Sequence, residues 1–312
     1  MLIDRLAERI TGLENPIVAG LDPRLENIPE FIVNEMTDAY GETLKAAAEA
    51  IFEFCRVIID EIRDTVPAVK PQIAFFEQYG AEGVGAYIRT VAYAKKKGLI
   101  VIGDIKRGDI ASTAAAYSDG HLGEAAVGAA KFKVFDEDFI TLNPYLGSDA
   151  VAPFIENCEK YDRGLFVLVK TSNASSRDIQ DLKTENGFLY EEVARLVGEW
   201  GKGLKGKCGY GPVGAVVGAT FPEQIIKIRG ILPDAFFLVP GYGAQGGTAK
   251  DVAACLDKNG LGALVSSSRG IIFAYADEKY KNRFAEREFG KAARQACLDM
   301  AGSLRGANPV SP

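Results

Sequence analysis

One stretch of the chain, Gly103-Asp104-Ile105-Lys106-Arg107-Gly108-Asp109-Ile110, sets carboxylates around a lysine at the end of an apolar run. In an extended strand, side chains two apart share a face, so Asp104 and Lys106 point the same way. Asp109, in the turn that follows, is not brought to either by strand geometry alone. Flanking carboxylates favour the charged form of a lysine and hold it as a general acid beside anionic partners. A surface ion pair at a strand end is the plain alternative, but charges directed into an enclosed mouth are costly and need a reason. Lys70, inside the apolar run Ala68-Val69-Lys70-Pro71-Gln72, is a second candidate, and Asp22 ends another run, Gly20-Leu21-Asp22. Asp22 suits either ribose hydroxyls or a structural cap.

A second group of residues suits phosphate. Pro240-Gly241-Tyr242-Gly243-Ala244-Gln245-Gly246-Gly247 contains a G-x-G-x-x-G pattern, and Ser266-Ser267-Ser268-Arg269-Gly270 follows one unit later. The pattern invites a dinucleotide reading, but that fingerprint belongs in the first βα unit of its fold, and this one lies near the end of the chain. Backbone amides of Gln245, Gly246 and Gly247 with Ser268 and the bidentate guanidinium of Arg269 fit a phosphate instead. Gly201-Lys202-Gly203-Leu204-Lys205-Gly206-Lys207-Cys208 resembles a P-loop, yet it ends a helix and carries Cys208 in place of the hydroxyl that binds magnesium. His121 is the chain's only histidine, which excludes a multi-histidine metal site, and it reads as a surface or helix-cap residue.

These residues need a scaffold that gathers strand ends. Eight apolar, turn-bounded runs read as strands: 16–22, 68–72, 99–105, 139–143, 165–171, 213–219, 235–240 and 262–266. They lack polar alternation, as parallel strands covered on both faces do. Helical stretches separate them at 42–65, 75–97, 112–131, 148–160, 188–202, 222–229 and 248–258, and a last one spans 282–300. Eight βα units of this total length predict an α/β fold, a (β/α)8 TIM barrel over residues 1–302, with a flexible tail over 303–312. A doubly wound open sheet is the competing arrangement. Two connections run long, 23–41 after the first strand and 172–187 after the fifth. Both follow strand C-termini, where a barrel keeps its site, and the second reads as a mobile lid.

Composition narrows the setting. Of 312 residues, 47% are apolar and 25% charged, the balance of a globular protein. Thirty-six Lys and Arg against 42 Asp and Glu give a net charge of −6, without the basic footprint of a nucleic-acid binder. No apolar run approaches the roughly 18 residues of a membrane span. The charged N-terminal segment is not a signal-peptide core. Five widely spaced cysteines offer neither a zinc knuckle nor a disulfide framework, so a cytoplasmic protein with reduced thiols is expected.

Asp104-x-Lys106-x-x-Asp109-Ile110, Lys70 one strand earlier, Gly243-Ala-Gln245-Gly-Gly247 and Arg269 together resemble the orotidine 5′-phosphate decarboxylases, in their longer bacterial-type subfamily. Thr141-Leu-Asn143-Pro-Tyr145-Leu-Gly147 and Lys170-Thr-Ser-Asn173 resemble it too, and the likeness runs over roughly residues 15 to 285. The resemblance implies decarboxylation of orotidine 5′-phosphate to uridine 5′-phosphate in a homodimer, with no metal or organic cofactor. It implies Lys106 as proton donor to C6, Asp104 against the departing carboxylate, and Lys70 holding the carboxylate array and touching ribose. Asp109 and Thr113 match residues lent across the dimer to the other subunit's ribose and phosphate. Gln245 and Arg269 match the phosphate grip, and Ser172 or the neighbouring Asn173 the reader of the pyrimidine edge. Rival readings are a metal-dependent phosphosugar lyase or decarboxylase on the same barrel, a Schiff-base aldolase using Lys170, and a non-catalytic nucleotide-binding barrel.

Overall fold

The computed structural model of the chain describes residues 1–219, 222–242 and 248–307. Among them, eight parallel strands close into a barrel: β1 Ile17–Leu21, β2 Ala68–Pro71, β3 Ile100–Arg107, β4 Phe139–Leu142, β5 Gly164–Lys170, β6 Gly211–Val217, β7 Ala235–Val239 and β8 Ala263–Ser267. Each pairs with its sequence neighbours, and β1 pairs with both β2 and β8. The expected (β/α)8 barrel is the fold, and the open sheet is excluded by the β1–β8 closure.

Alternation along each strand divides its side chains between two cores. Val18, Ala68, Ile100, Ile102, Phe139, Phe166, Val216, Phe236, Leu238 and Leu264 fill the barrel interior. The intervening residues, such as Val69, Val101, Ile140, Val167 and Val265, face the surrounding helices. Stacked interior layers of this kind make the barrel a packed solid whose chemistry is confined to its rim.

Several elements differ from the sequence expectation. A helix over Leu2–Leu13 plugs the barrel floor, with Leu2, Ile3, Leu6, Ala7 and Ile10 in the interior cluster. Their spacing of three to four makes one apolar face, and the charges between them lie on the other. The connection 23–41 is largely helical, Glu30–Tyr40, and buries Ile28 and Ile32. The helix expected over 112–131 stops at His121, and an antiparallel pair, Ala125–Val127 with Ala130–Phe132, takes up the remainder. Gly128 at its turn has φ +60°, which favours a residue without Cβ. The last helix, Phe289–Ala307, buries Leu304, so the chain is ordered five residues past the expected end at 302.

Candidate active site

The C-terminal ends of β1, β2, β3, β7 and β8 surround a cavity of about 350 Å³, lined by Asp22, Lys70 and Asp104 on one side and by Tyr242, Ser268 and Arg269 on the other. Register brings the first set together: Gly20 of β1 lies beside Lys70 of β2, and Gln72 bridges to Asp104 of β3. Gly20 also lets β8 approach, because a Cβ there would sit 2.0 Å from Ser268 Oγ.

Asp104 is the hub. Its Oδ2 accepts from Lys70 Nζ at 2.6 Å, and its Oδ1 accepts from Lys106 Nζ and from Thr141 Oγ1, the latter at 3.0 Å. Thr141 Oγ1 in turn accepts the Lys106 amide at 3.0 Å, so one β4 hydroxyl orients both members of the motif. Lys70 and Asp104 are buried, whereas the Lys106 side chain is 46% exposed and free to meet a ligand. Burial opposes a charge on Asp104, but the two ammonium groups outweigh it and hold the carboxyl well below its ordinary 3.8. Burial likewise opposes the Lys70 ammonium, and Asp104 and Asp22 outweigh that, raising it above 10.5.

The alternation argument brought Asp104 and Lys106 together, but the geometry that does so is not a plain strand. The β3–β4 register shifts between Gly103 and Arg107, and Lys106 has φ +47°. A lysine in the left-handed region is strained, by about 1–3 kcal/mol.

Asp22 lines the same cavity, and its Oδ1 is buried without a hydrogen-bond partner. Arg269 is exposed at the rim, and its guanidinium has no carboxylate partner among the described residues. Asp109 and Thr113 are not brought in. Asp109 Oδ1 accepts the Ile110 amide, Thr113 is exposed, and neither lines the cavity. Ser172 lies past the end of β5, across the mouth, and does not line it either. Gln245, Gly246 and Gly247 lie outside the described residues.

Lys170, the Schiff-base candidate, is buried away from this cavity, its ammonium donating to Asp181 Oδ1 at 2.7 Å. His121 is not a surface residue. It is buried with Nδ1 3.0 Å from Glu137 Oε1, which also accepts from Tyr87 Oη at 2.7 Å, and Phe135 stacks on its ring. This network lies directly behind β3, where a Cβ on Gly103 would sit 2.7 Å from Glu137 Oε1. Sequence reasoning gave Thr141 no role. A hydroxyl inside the four buried residues of β4 was the signal that could have found it. Arg24 and Phe75, stacked with Arg24 Cζ 5.3 Å from the ring centroid, also line the cavity unforeseen. Among the described residues, no group of three or more His, Cys, Asp and Glu could hold a metal ion.

Residues 16–281 match the model of the orotidine 5′-phosphate decarboxylase / HUMPS family. The chain belongs to this family. An orotidine 5′-phosphate decarboxylase of Caldicellulosiruptor bescii is 46% identical over 304 residues, covering 97% of this chain and 98% of that one. Another, from Rhodopirellula baltica, is 46% identical over 288 residues, covering 92% and 93%. Among solved structures, OMP decarboxylase of Leishmania donovani is 33% identical and superposes with a TM-score of 0.72 over 97% of this chain and 98% of that one. The match to the decarboxylase family takes in all eight barrel strands, and with them Asp22, Lys70, Asp104, Lys106 and Arg269. Among the described residues, no helix is long and apolar enough to cross a membrane.

Proposed function

We propose that the chain decarboxylates orotidine 5′-phosphate to uridine 5′-phosphate and CO2, with neither metal nor organic cofactor. The observation that carries this reading is the row Asp22, Lys70, Asp104, Lys106, alternating in charge, its first three members lining the cavity and its last a half-exposed lysine bonded to Asp104. In the reaction, the bond from C6 to the carboxylate breaks and its electron pair stays on C6. Lys106 stabilises that charge as it develops, then gives its proton to C6. Asp104, ionised by its lysines, stands against the departing carboxylate. Its oxygens are already taken by two ammonium groups and Thr141, an arrangement in which lysines rather than a metal ion neutralise the carboxylate.

The unpartnered Asp22 oxygen suits a ribose hydroxyl, since a buried acceptor without a donor marks a place for one. Arg269 suits the 5′-phosphate, with Ser268 and the backbone of Gln245, Gly246 and Gly247 completing the grip. Ser172 is read as facing the pyrimidine. Asp109 and Thr113, clear of their own chain's cavity, are read as serving a second subunit across a homodimer. Exposed Ile110, Tyr117 and Tyr145 beside them suit burial in such an interface. A cytoplasmic setting fits the five free cysteines.

A spectrophotometric assay with orotidine 5′-phosphate in excess EDTA tests the proposal. Full turnover is expected. No turnover at all, or loss in EDTA restored by Mg²⁺, would overturn it.

A further inference from the structure

The connection after β5 is tied down by two sets of contacts, each of which spans Ser172. Lys170, the last residue of β5, is 1% exposed, and its ammonium donates to Asp181 Oδ1 at 2.7 Å and to Ser176 Oγ at 3.1 Å. Both acceptors belong to the connection itself. The β5–β6 register slips between Val216 and Val217, which takes Lys170 out of alternation with the interior-facing Phe166 and Leu168. It lies instead near the Tyr190 ring, 5.8 Å from the centroid. The second tie is a pair of hydrogen bonds between neighbours: the Thr171 amide donates to Gln180 Oε1 and Gln180 Nε2 to Thr171 Oγ1, each at 2.9 Å. The Tyr190 amide then donates to the Gln180 carbonyl at 3.0 Å.

Ser172 has no room to drift. A Cβ on Gly218 would sit 2.8 Å from its amide nitrogen, so the backbone of β6's end presses directly on it. A buried ammonium that loses its counter-charge is strongly disfavoured. Lifting the connection would break the contacts of Lys170 with Asp181 and Ser176, which tie the 172–187 segment to the end of β5.

We propose that Lys170 and Asp181 are positioning residues, an internal latch that fixes Ser172 toward the pyrimidine of the bound nucleotide. This rests on the reaction read above. Neither residue touches substrate; both act through the backbone between them.

A double-mutant cycle tests it, with kcat/KM for orotidine 5′-phosphate as the readout. Asp181→Ala should lower kcat/KM by about tenfold, the worth of one well-oriented hydrogen bond lost from Ser172. Asp181→Glu, which keeps the charge at a partly exposed position, should recover most of it. In a Ser172→Ala background, Asp181→Ala should change kcat/KM by less than about twofold, because the group it positions is gone. If the two losses multiply, or if Asp181→Ala has no effect, the latch does not act through Ser172 and the proposal fails. Should Asp181→Ala not fold, Asp181→Asn, which keeps shape but not charge, takes its place in the same cycle. Hydrogen exchange of amides 173–187 in the ligand-free protein is the second readout. Faster exchange in the Asp181 variant is expected, and unchanged exchange overturns the latch. Absence of turnover by the wild-type chain would sink the proposed reaction itself, whereas normal wild-type turnover with multiplying losses sinks only the latch.

Discussion

Asp104→Asn isolates the charge on which the mouth is organised. The amide keeps the volume of the side chain and one acceptor, so what disappears is the negative charge between Lys70 and Lys106. Lys106 is half exposed, and water replaces most of what it loses, about 0–1 kcal/mol. Lys70 is buried, and stripping a buried pair of one partner costs about 3–5 kcal/mol. Asp22 still faces Lys70, which places the cost near the lower end, about 3 kcal/mol. For a chain of this size that is a fall in Tm of roughly 4–5 °C. The pH dependence carries its own sign. Asp104 titrates below its unfolded value near 3.8, so its stabilisation is present above that value and lost as pH falls through the folded one. Lys70 titrates above 10.5, so its share is present below that and lost only as pH rises through the higher folded value. The difference in Tm between wild type and Asp104→Asn, measured by calorimetry, should therefore stay level from about pH 8 to about pH 5 and shrink only below about pH 4. A variant as stable as wild type at neutral pH, or a difference that already decays between those two values, would refute the account of Asp104 as an ionised, lysine-held hub.

Two further outcomes follow from the placement of the remaining site residues. Arg269→Ala should weaken uridine 5′-phosphate binding by about 2–5 kcal/mol while leaving uridine nearly unaffected, and calorimetric titration of both ligands separates this from a structural role, which would penalise them equally. Lys106→Ala and Asp109→Ala homodimers should each be nearly inactive, yet mixing them under subunit exchange should restore about a quarter of wild-type activity. Half the dimers are then mixed, and each mixed dimer holds one intact site. No recovery in verified mixed dimers would place both residues in one chain's site.

What could be read from the sequence followed from how barrels segregate residues. A strand covered on both faces has no reason to carry charge, so Lys70 and Asp104 stood out against Ala68-Val69 and Ile100–Gly103, and the eight strands were visible as uninterrupted apolar runs. The floor helix Leu2–Leu13 was hidden because its apolar positions are interleaved with Asp4, Arg5, Glu8 and Arg9. A run-based reading sees charge where a helical projection sees one buried face. His121 and Glu137 defeat composition altogether. Each is polar and ordinary alone, and only the fold, by bringing residue 121 back beneath β3, makes them partners. Lys106 was placed correctly for an incomplete reason: alternation predicted a shared face with Asp104, but the contact is made through a bulge and a left-handed φ that no periodicity announces.

That bulge bears on the proposed reaction. Counted as formal charges, Asp22, Lys70, Asp104 and Lys106 sum to zero, so a bound substrate carboxylate leaves the row with one negative charge in excess. Breaking the bond to CO2 does not change that excess; it moves it from the carboxylate to C6. Electrostatics can then lower the barrier only through position, by offering more stabilisation where the charge arrives than where it began. In the proposed reaction Lys70, buried and paired with Asp104, is assigned to the starting side. Lys106, at φ +47° in the irregular part of β3 and half exposed, is in that reaction the cation assigned to the arrival. The left-handed backbone at Lys106 is held by the hydrogen bond from its amide to Thr141 Oγ1, the hydroxyl that also donates to Asp104, so one side chain sets both the residue proposed to attend the carbanion and the residue proposed to face the carboxylate.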